Sequence, residues 1–198
     1  MSCFHFVKYS IVKLVIHSIW KVGKSTPMLA IKEQLNTTRK YLLSVLDGLS
    51  DIQLNWKPDE HTWSIAQIVQ HITTVESGAA KIVQLGLAQE PNFVPRDIPL
   101  GKMILDRSKK ANAPERLHPS AEPKTLVQLK EILHNSQAQF LCALNSIKDV
   151  SVLDKTAPPI PHPIFGHMST NQWITAVPLH EQRHIKQIEE VKEQLQLS

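Results

Sequence analysis

The stretch that decides the fold is STNQWITAVPLHEQRHIKQ, residues 169–187. It opens with a capping box, in which Ser169 and Gln172 can satisfy each other's backbone N–H groups. From there apolar residues recur at the three- and four-residue spacing of one helix face. These positions are Trp173, Val177, Ile188 and Val191, the last two lying just beyond the stretch. The pattern predicts a long amphipathic helix to the end of the chain, bent at Pro178 because proline removes one backbone hydrogen bond.

The rest of the chain carries three further amphipathic patterns, which begin near Thr26, Ser64 and Thr125. In the first, Thr26 can cap the helix and Pro27 suits the first helical position. The third opens with another capping box, formed by Thr125 and Gln128. The predicted ranges are roughly 27–50, 64–89 and from 125 onward. No strand pattern competes, so the sequence predicts an all-α protein, a four-helix bundle.

Two proline-rich segments connect these helices. Residues 90–123 contain six prolines and residues 158–163 contain four, too many for a regular element. The longer segment has the length of a lid or a pocket wall. We therefore expect a bundle with long Pro-rich connecting loops.

Three histidines are the candidate metal ligands. His180 and His184 are four residues apart, so their side chains leave one helix face a single turn apart and can bind one ion. His71 is a polar residue on the otherwise apolar stripe of Ile68, Ile72 and Val75, and inward residues of facing helices form the metal sites of bundles. Taken alone, His71 would more simply be interpreted as a hydrogen-bonded core histidine. The pair on the last helix favours its assignment as the third ligand.

Residues 180–184 also match the H-E-x-x-H signature of zinc proteases, in which the glutamate is the general base. Such proteases need a third ligand well downstream, and no histidine follows His184. The geometry therefore disfavours a protease. Glu181 remains the candidate for a catalytic role, although its position predicts a side chain about a quarter turn from the ligands, solvated or supporting them.

Composition restricts the function class. The 198 residues suit one domain, with 42% hydrophobic and 20% charged residues. The net charge of +4 is confined to residues 1–27, which hold four lysines and no acid. A neutral body cannot supply the phosphate contacts of nucleic-acid binding. Cys3 and Cys142 suggest no disulfide, which favours a cytoplasmic location, and Cys142 is expected in the core.

Residues 1–27 are predicted to form an N-terminal extension to a bundle of residues 28–198. Their apolar residues approximate a helical stripe, but Lys8, Lys13 and Lys21 interrupt any run long enough to span a bilayer. The extension could reflect a spurious upstream start, with Met28 the true beginning, or an accessory helix, or a transit peptide.

Two groups of short strings resemble the pattern of the DinB-like (DinB/YfiT) superfamily. They are WKP (56–58), WSI (63–65) and IVQHI (68–72), then FGHMS (165–169), Trp173 and HEQRHIKQI (180–188). The resemblance covers about residues 28–198. It implies a four-helix bundle that carries a divalent metal ion on His71, His180 and His184.

The resemblance also implies an enzyme acting on a small molecule. Related proteins include hydrolases, a maleylpyruvate isomerase and S-transferases that use a low-molecular-weight thiol such as bacillithiol or mycothiol. Three protein ligands leave open metal positions that can activate water or a thiol, and imidazole ligands suit Zn or Ni. An anionic thiol could bind the basic residues of the long loop, which are Arg96, Lys102, Arg107, Lys109 and Lys110.

The alternative is a non-catalytic, stress-related bundle whose metal is structural. Its coordination shell would be closed by a fourth protein ligand such as Glu181 or His167. His162 and His167 precede the last helix and could line the pocket mouth, but a surface or capping role is the simpler interpretation.

We predict that the protein is a homodimer at micromolar concentration, because superfamily bundles are commonly dimers and an apolar N-terminal segment with a neutral body leaves exposed surface with little charge repulsion. The alternative is a monomer whose N-terminal helix folds back over its own apolar surface. We also predict that a chain starting at Met28 folds like the full chain. Light scattering on both proteins tests this. A monomer mass for both would refute the dimer, and a dimer only at full length would place the interface on residues 1–27.

Overall fold

The computed structural model describes residues 27–109 and 112–197, so the expectations for residues 1–26, including the Thr26 cap, lie outside the described residues. Four long helices dominate, with two short ones between them. They are α1 (Pro27–Leu46), α2 (Asp51–Asn55), α3 (Ile65–Leu87), α4 (Leu100–Leu105), α5 (Leu126–Asn145) and α6 (Thr170–Leu197). Within these ranges no helix combines the length and apolarity needed to cross a membrane. The predicted four-helix bundle is confirmed.

The helix starts follow the local capping signals. Both hydrogen bonds of a capping box are present at Ser64 and at Thr125, and Ser169 exchanges the same pair with Gln172. The first helix is shorter than predicted. It ends at Leu46, because Gly48 adopts a left-handed φ of 76° and the chain then re-enters the short helix α2.

The cross-contacts define the helix directions. Arg39 of α1 contacts Glu181 of α6, and the later residue Tyr41 contacts the later residue Glu189. Residue numbers rise together along both helices, so α1 and α6 are parallel. By the same test α1 and α5 are antiparallel, because Lys32 contacts Asn145 whereas Arg39 contacts the Leu133 carbonyl. In one core cluster the first half of α3 packs with Leu129 and Leu133 of α5, and in the other the second half of α3 packs with Phe140 and Leu144. Helices α3 and α5 are therefore parallel although they are consecutive long helices.

A parallel pair requires a crossover, and residues 88–125 provide it. Helix α3 has 23 residues, so the chain must return about 34 Å before α5 can begin. The expectation that the Pro-rich segment lacks regular structure was wrong. It contains α4 and a 3₁₀ turn, Glu115–Leu117, because its prolines are spaced widely enough to leave short helical stretches between them. Leu100 and Ile104 of α4 are buried in a cluster that also includes Ala176 of α6.

A polar layer divides the core of the bundle into two apolar halves. Each long helix contributes one buried polar side chain to the layer: Arg39, Glu76, Ser136 and Glu181. On one side of it lie Leu42, Ile72, Leu133 and Ile185, and on the other Leu35, Ala79, Phe140 and Val177. The layer therefore lies in the middle of the molecule and contacts all four long helices.

Arg39 is the centre of this layer. Its Nε donates to Glu181 Oε1 at 2.8 Å, its Nη2 to Glu76 Oε2 at 2.8 Å, and its Nη1 to the Leu133 carbonyl. Ser136 Oγ donates to the same Glu76 oxygen at 2.6 Å. Burial alone would lower the pKa of Arg39, but the carboxylates of Glu181 and Glu76 raise it above its usual value. Arg39 therefore stays charged in the core.

We predict that Arg39→Met lowers the free energy of unfolding by about 3–5 kcal/mol, because two buried carboxylates lose their counter-charge. Urea unfolding followed by circular dichroism measures the loss. The matched control replaces the whole network, in R39M/E76M/E181M, and should recover most of the stability since no buried charge remains. A triple variant as unstable as the single one would contradict this account.

Candidate metal centre

His71 of α3 meets His180 and His184 of α6 in the interior of the bundle. One ring nitrogen of each histidine lies within 4.8 Å of the corresponding nitrogens of the other two. His180 Nε2 and His184 Nε2 are 3.1 Å apart, and the ring centroid of His71 lies 5.1 Å and 4.8 Å from theirs. The structure thus brings together the three histidines that the sequence singled out.

The outer nitrogens of two of these rings have hydrogen-bond partners. His71 Nδ1 lies 2.9 Å from the Leu117 carbonyl of the crossover, and His184 Nδ1 lies 2.8 Å from Gln187 Oε1. Both partners are acceptors, so Nδ1 carries the proton and Nε2 keeps a lone pair directed into the cluster. Partners of this kind orient metal-binding histidines in proteins. Sequence reasoning missed Leu117, whose carbonyl has no sequence signal, and Gln187, one turn after His184.

Burial keeps the three rings uncharged. Desolvation lowers the pKa of His71 and lowers that of His184 to about 3. Desolvation, followed by the neighbouring His184 and His71, lowers the pKa of His180 well below its usual value. Neutral imidazole is the form that binds a metal ion. The outer hydrogen bonds of His71 and His184 leave two inner lone pairs, and His180 Nε2 lies 3.1 Å from His184 Nε2. Three neutral imidazoles arranged in this way fit a divalent cation, and such a set suits Zn or Ni.

The crossover covers one side of this cluster. Arg183, between the two α6 histidines, donates to the Ile104, Asp106 and Lys109 carbonyls at 2.8, 2.6 and 2.7 Å. Trp63 packs against His71 in a tilted arrangement, with ring centroids 5.0 Å apart. The long loop is thus a wall of the site, as its length suggested. Arg183 was missed because its acceptors are backbone carbonyls far away in sequence.

Glu181 does not join the cluster. Its side chain is 2% exposed and bound to Arg39, on the face of α6 that points to α1. Burial raises its pKa, against the opposing charge of Arg39. Of the two predicted roles, solvated or supporting the ligands, the burial of Glu181 contradicts the first. His167, the other suggested fourth ligand, is exposed.

Two further expectations concern residues outside the cluster. Cys142 is exposed rather than in the core, because its position on α5 faces away from the stripe of Leu133, Phe140 and Leu144. Among the basic loop residues, Arg107 pairs with Glu190 through Nε at 2.7 Å, and Arg96 donates to the Phe165 carbonyl. Both guanidinium groups are thus engaged within the protein.

Two sequence comparisons relate this chain to known proteins. The sequence model of the DinB superfamily matches residues 34–188. YuaE, an uncharacterized protein of Bacillus subtilis (strain 168), is 30% identical over 161 residues, which are 81% of this chain and 96% of YuaE.

Two solved structures share the fold. YfiT from Bacillus subtilis, described as a probable metal-dependent hydrolase with an unusual four-helix bundle topology, superposes with a TM-score of 0.58 at 16% identity, covering 88% of this chain and 92% of YfiT. TT2238, described as a four-helix bundle protein, gives a TM-score of 0.54 at 18% identity, covering 82% of this chain and 98% of TT2238.

We predict that the metal-free protein loses stability as the pH falls from 6.5 toward 4. The folded-state pKa of His184 is about 3, so between pH 3 and 6.5 the unfolded chain holds a proton that the folded chain does not. Stability therefore rises with pH across this window, by up to about 1.4 kcal/mol per pH unit for each such histidine.

Urea titrations between pH 5 and 6.5 measure this slope in the presence of a chelator. His184→Gln should reduce the slope, whereas His61→Gln, at an exposed histidine before α3, should leave it unchanged. Equal slopes in all three proteins would show that His184 is protonated in the folded state.

Proposed function

The chain belongs to the DinB superfamily, and from this membership and its histidine cluster we propose that it is a metal-dependent hydrolase of a small molecule. His71, His180 and His184 would hold one divalent ion, Zn or Ni. The observation that carries the proposal is the convergence of three neutral imidazoles from two helices on one point. The outer hydrogen bonds of His71 and His184 support it, because they leave the inner nitrogens as acceptors facing each other.

An enzyme fits the residues around the cluster better than a structural site does. A structural site closes its coordination shell with a fourth protein ligand. Of the two fourth ligands considered, Glu181 is bound by Arg39 and His167 is exposed. Three protein ligands leave a position for a reactant, and a divalent ion held there supplies Lewis acidity and lowers the pKa of water.

The chain's own residues have three roles in this proposal. The three histidines remain neutral at pH 7 because they are buried, so protons do not compete for their inner nitrogens. Leu117 and Gln187 fix the ring orientations through the outer nitrogens of His71 and His184. Arg183 holds the crossover over the cluster, which limits the entry of bulk water from that side.

We propose hydrolysis and not thiol transfer because of how the basic residues of the crossover are arranged. A transferase needs cations that hold an anionic thiol such as bacillithiol or mycothiol. Arg96 and Arg107 are occupied by the Phe165 carbonyl and by Glu190. Lys102 and Lys109 are exposed, and Lys110 lies outside the described residues. None of the described members of this group is therefore both buried and unpaired. The fold shared with YfiT, described as a probable metal-dependent hydrolase, supports the same choice.

We predict that His71→Ala, His180→Ala and His184→Ala each reduce the bound metal of purified protein by at least tenfold, because two ligands form a weak site. Elemental analysis after dialysis measures the metal content. His134→Ala, at an exposed histidine of α5, is the matched control and should keep the wild-type content.

The same four variants separate metal binding from hydrolysis. Wild type and His134→Ala, loaded with Zn or Ni, should hydrolyse members of a panel of small esters and amides, and a chelator should abolish the activity. Stoichiometric metal in all three ligand variants would defeat the metal assignment. Full occupancy of the wild type without turnover on any panel member would favour a structural metal.

A further inference from the structure

His162, in the loop between α5 and α6, is a histidine that the proposed metal site does not use. Its loop is closed by two backbone hydrogen bonds, from His162 N to the Gly166 carbonyl at 2.8 Å and from Gly166 N to the His162 carbonyl at 2.9 Å. Gly166 has a left-handed φ of 67°, which closes this tight turn. Arg96 also donates to the Phe165 carbonyl. The backbone that carries His162 is therefore held in place from within and from the crossover.

The loop also determines the tautomer of the His162 ring. The backbone N–H groups of Ile164 and Phe165 both donate to His162 Nδ1, at 3.1 and 3.3 Å. A nitrogen that accepts hydrogen bonds carries no proton, so the neutral ring has its proton on Nε2. Burial lowers the pKa of His162 to about 4, which keeps the ring neutral at pH 7. His162 thus presents one N–H donor, on the ring edge opposite its own loop.

The ring lies over the face of α6 that carries the cluster. It stacks on Phe165, with centroids 4.7 Å apart, and packs against Trp173 at 5.0 Å. Trp173 precedes His180 by seven residues, which is two helical turns on the same face. A proton on His162 would lower the pKa of His180 further, so the two rings are near each other. Within the part of the chain that the structure describes, His162 Nε2 has no hydrogen-bond partner.

We propose that His162 is a substrate-binding residue whose Nε2–H donates a hydrogen bond to an acceptor oxygen of the substrate, such as a carbonyl or carboxylate oxygen. This inference rests on the proposed function, because the substrate must be at the cluster of His71, His180 and His184. A neutral donor with a fixed tautomer stabilises negative charge that develops on such an oxygen without needing to be protonated first. The rival role, closure of the loop alone, uses only Nδ1.

Two substitutions separate the two nitrogens of His162. In His162→Asn the side-chain oxygen can still accept from the Ile164 and Phe165 N–H groups, as in an Asx turn, but the outer donor is lost. In His162→Gln the longer side chain can place an N–H donor near the original Nε2. His167→Asn changes an exposed histidine of the same segment and is the matched control.

The test titrates acetohydroxamate, an oxygen ligand, into protein loaded with Co²⁺ and follows the absorption spectrum. We expect the Kd for acetohydroxamate to rise at least tenfold in His162→Asn, with a partial return in His162→Gln and no change in His167→Asn. The Kd for Co²⁺ should stay within twofold of wild type in all three. Tenfold corresponds to about 1.4 kcal/mol, which one hydrogen bond to a charged group supplies.

The outcomes distinguish this inference from the metal assignment. An unchanged acetohydroxamate Kd in His162→Asn, in protein that binds Co²⁺, would overturn the role of His162 alone. Failure of wild-type protein to bind Co²⁺ would overturn the proposed function and this inference with it. Nitrogen-15 NMR of the metal-free protein provides a separate readout, because a proton on Nδ1 of His162 would refute the tautomer on which the role depends.

Discussion

The buried guanidinium of Arg39 is the interaction on which the rest of the structure depends. It bridges Glu76 of α3 and Glu181 of α6 and contacts the Leu133 carbonyl of α5, so it joins all four long helices at one level. A shift of α3 against α6 by one turn would leave a carboxylate buried without its counter-charge, which costs several kcal/mol. His71 lies five residues before Glu76, and His180 is adjacent to Glu181. The ion network thus sets the register in which the three histidines meet.

The direction of the helices explains why a wall covers the site. Helices α3 and α5 are parallel, so the crossover must return along the length of the bundle. On its way it places the Leu117 carbonyl against His71 and offers three carbonyls to Arg183. A bundle with alternating directions would connect its helices by short turns at the ends. The site wall is therefore a consequence of the topology, and no separate domain is needed to form it.

The features that could be predicted from sequence are those with local signals. Capping boxes mark the starts of α3 and α5 because Ser64 and Thr125 bond within three residues, and His71 was found as a polar residue on an apolar stripe. The same reasoning applied to Arg39, between Leu35 and Leu42, would have indicated the polar layer. The parallel pairing and the carbonyls that bind Arg183 could not be predicted, because each depends on contacts between distant segments. The surface position of Cys142 could have been predicted, because this residue lies off the apolar stripe of α5.

The H-E-x-x-H string shows how one short helical segment supports two unrelated sites. Its histidines face α3 and its glutamate faces α1, since adjacent residues on a helix point about 100° apart. Glu181 can be buried because its carboxylate is paired with Arg39, and an unpaired buried charge would be costly. The histidines can be buried because they lose their charge, and a neutral imidazole keeps a lone pair with which it can bind a metal ion. The charged groups of the polar layer are paired with one another, and the histidine cluster carries no charge. The core can therefore be stable and still hold nitrogens that are able to bind a metal ion.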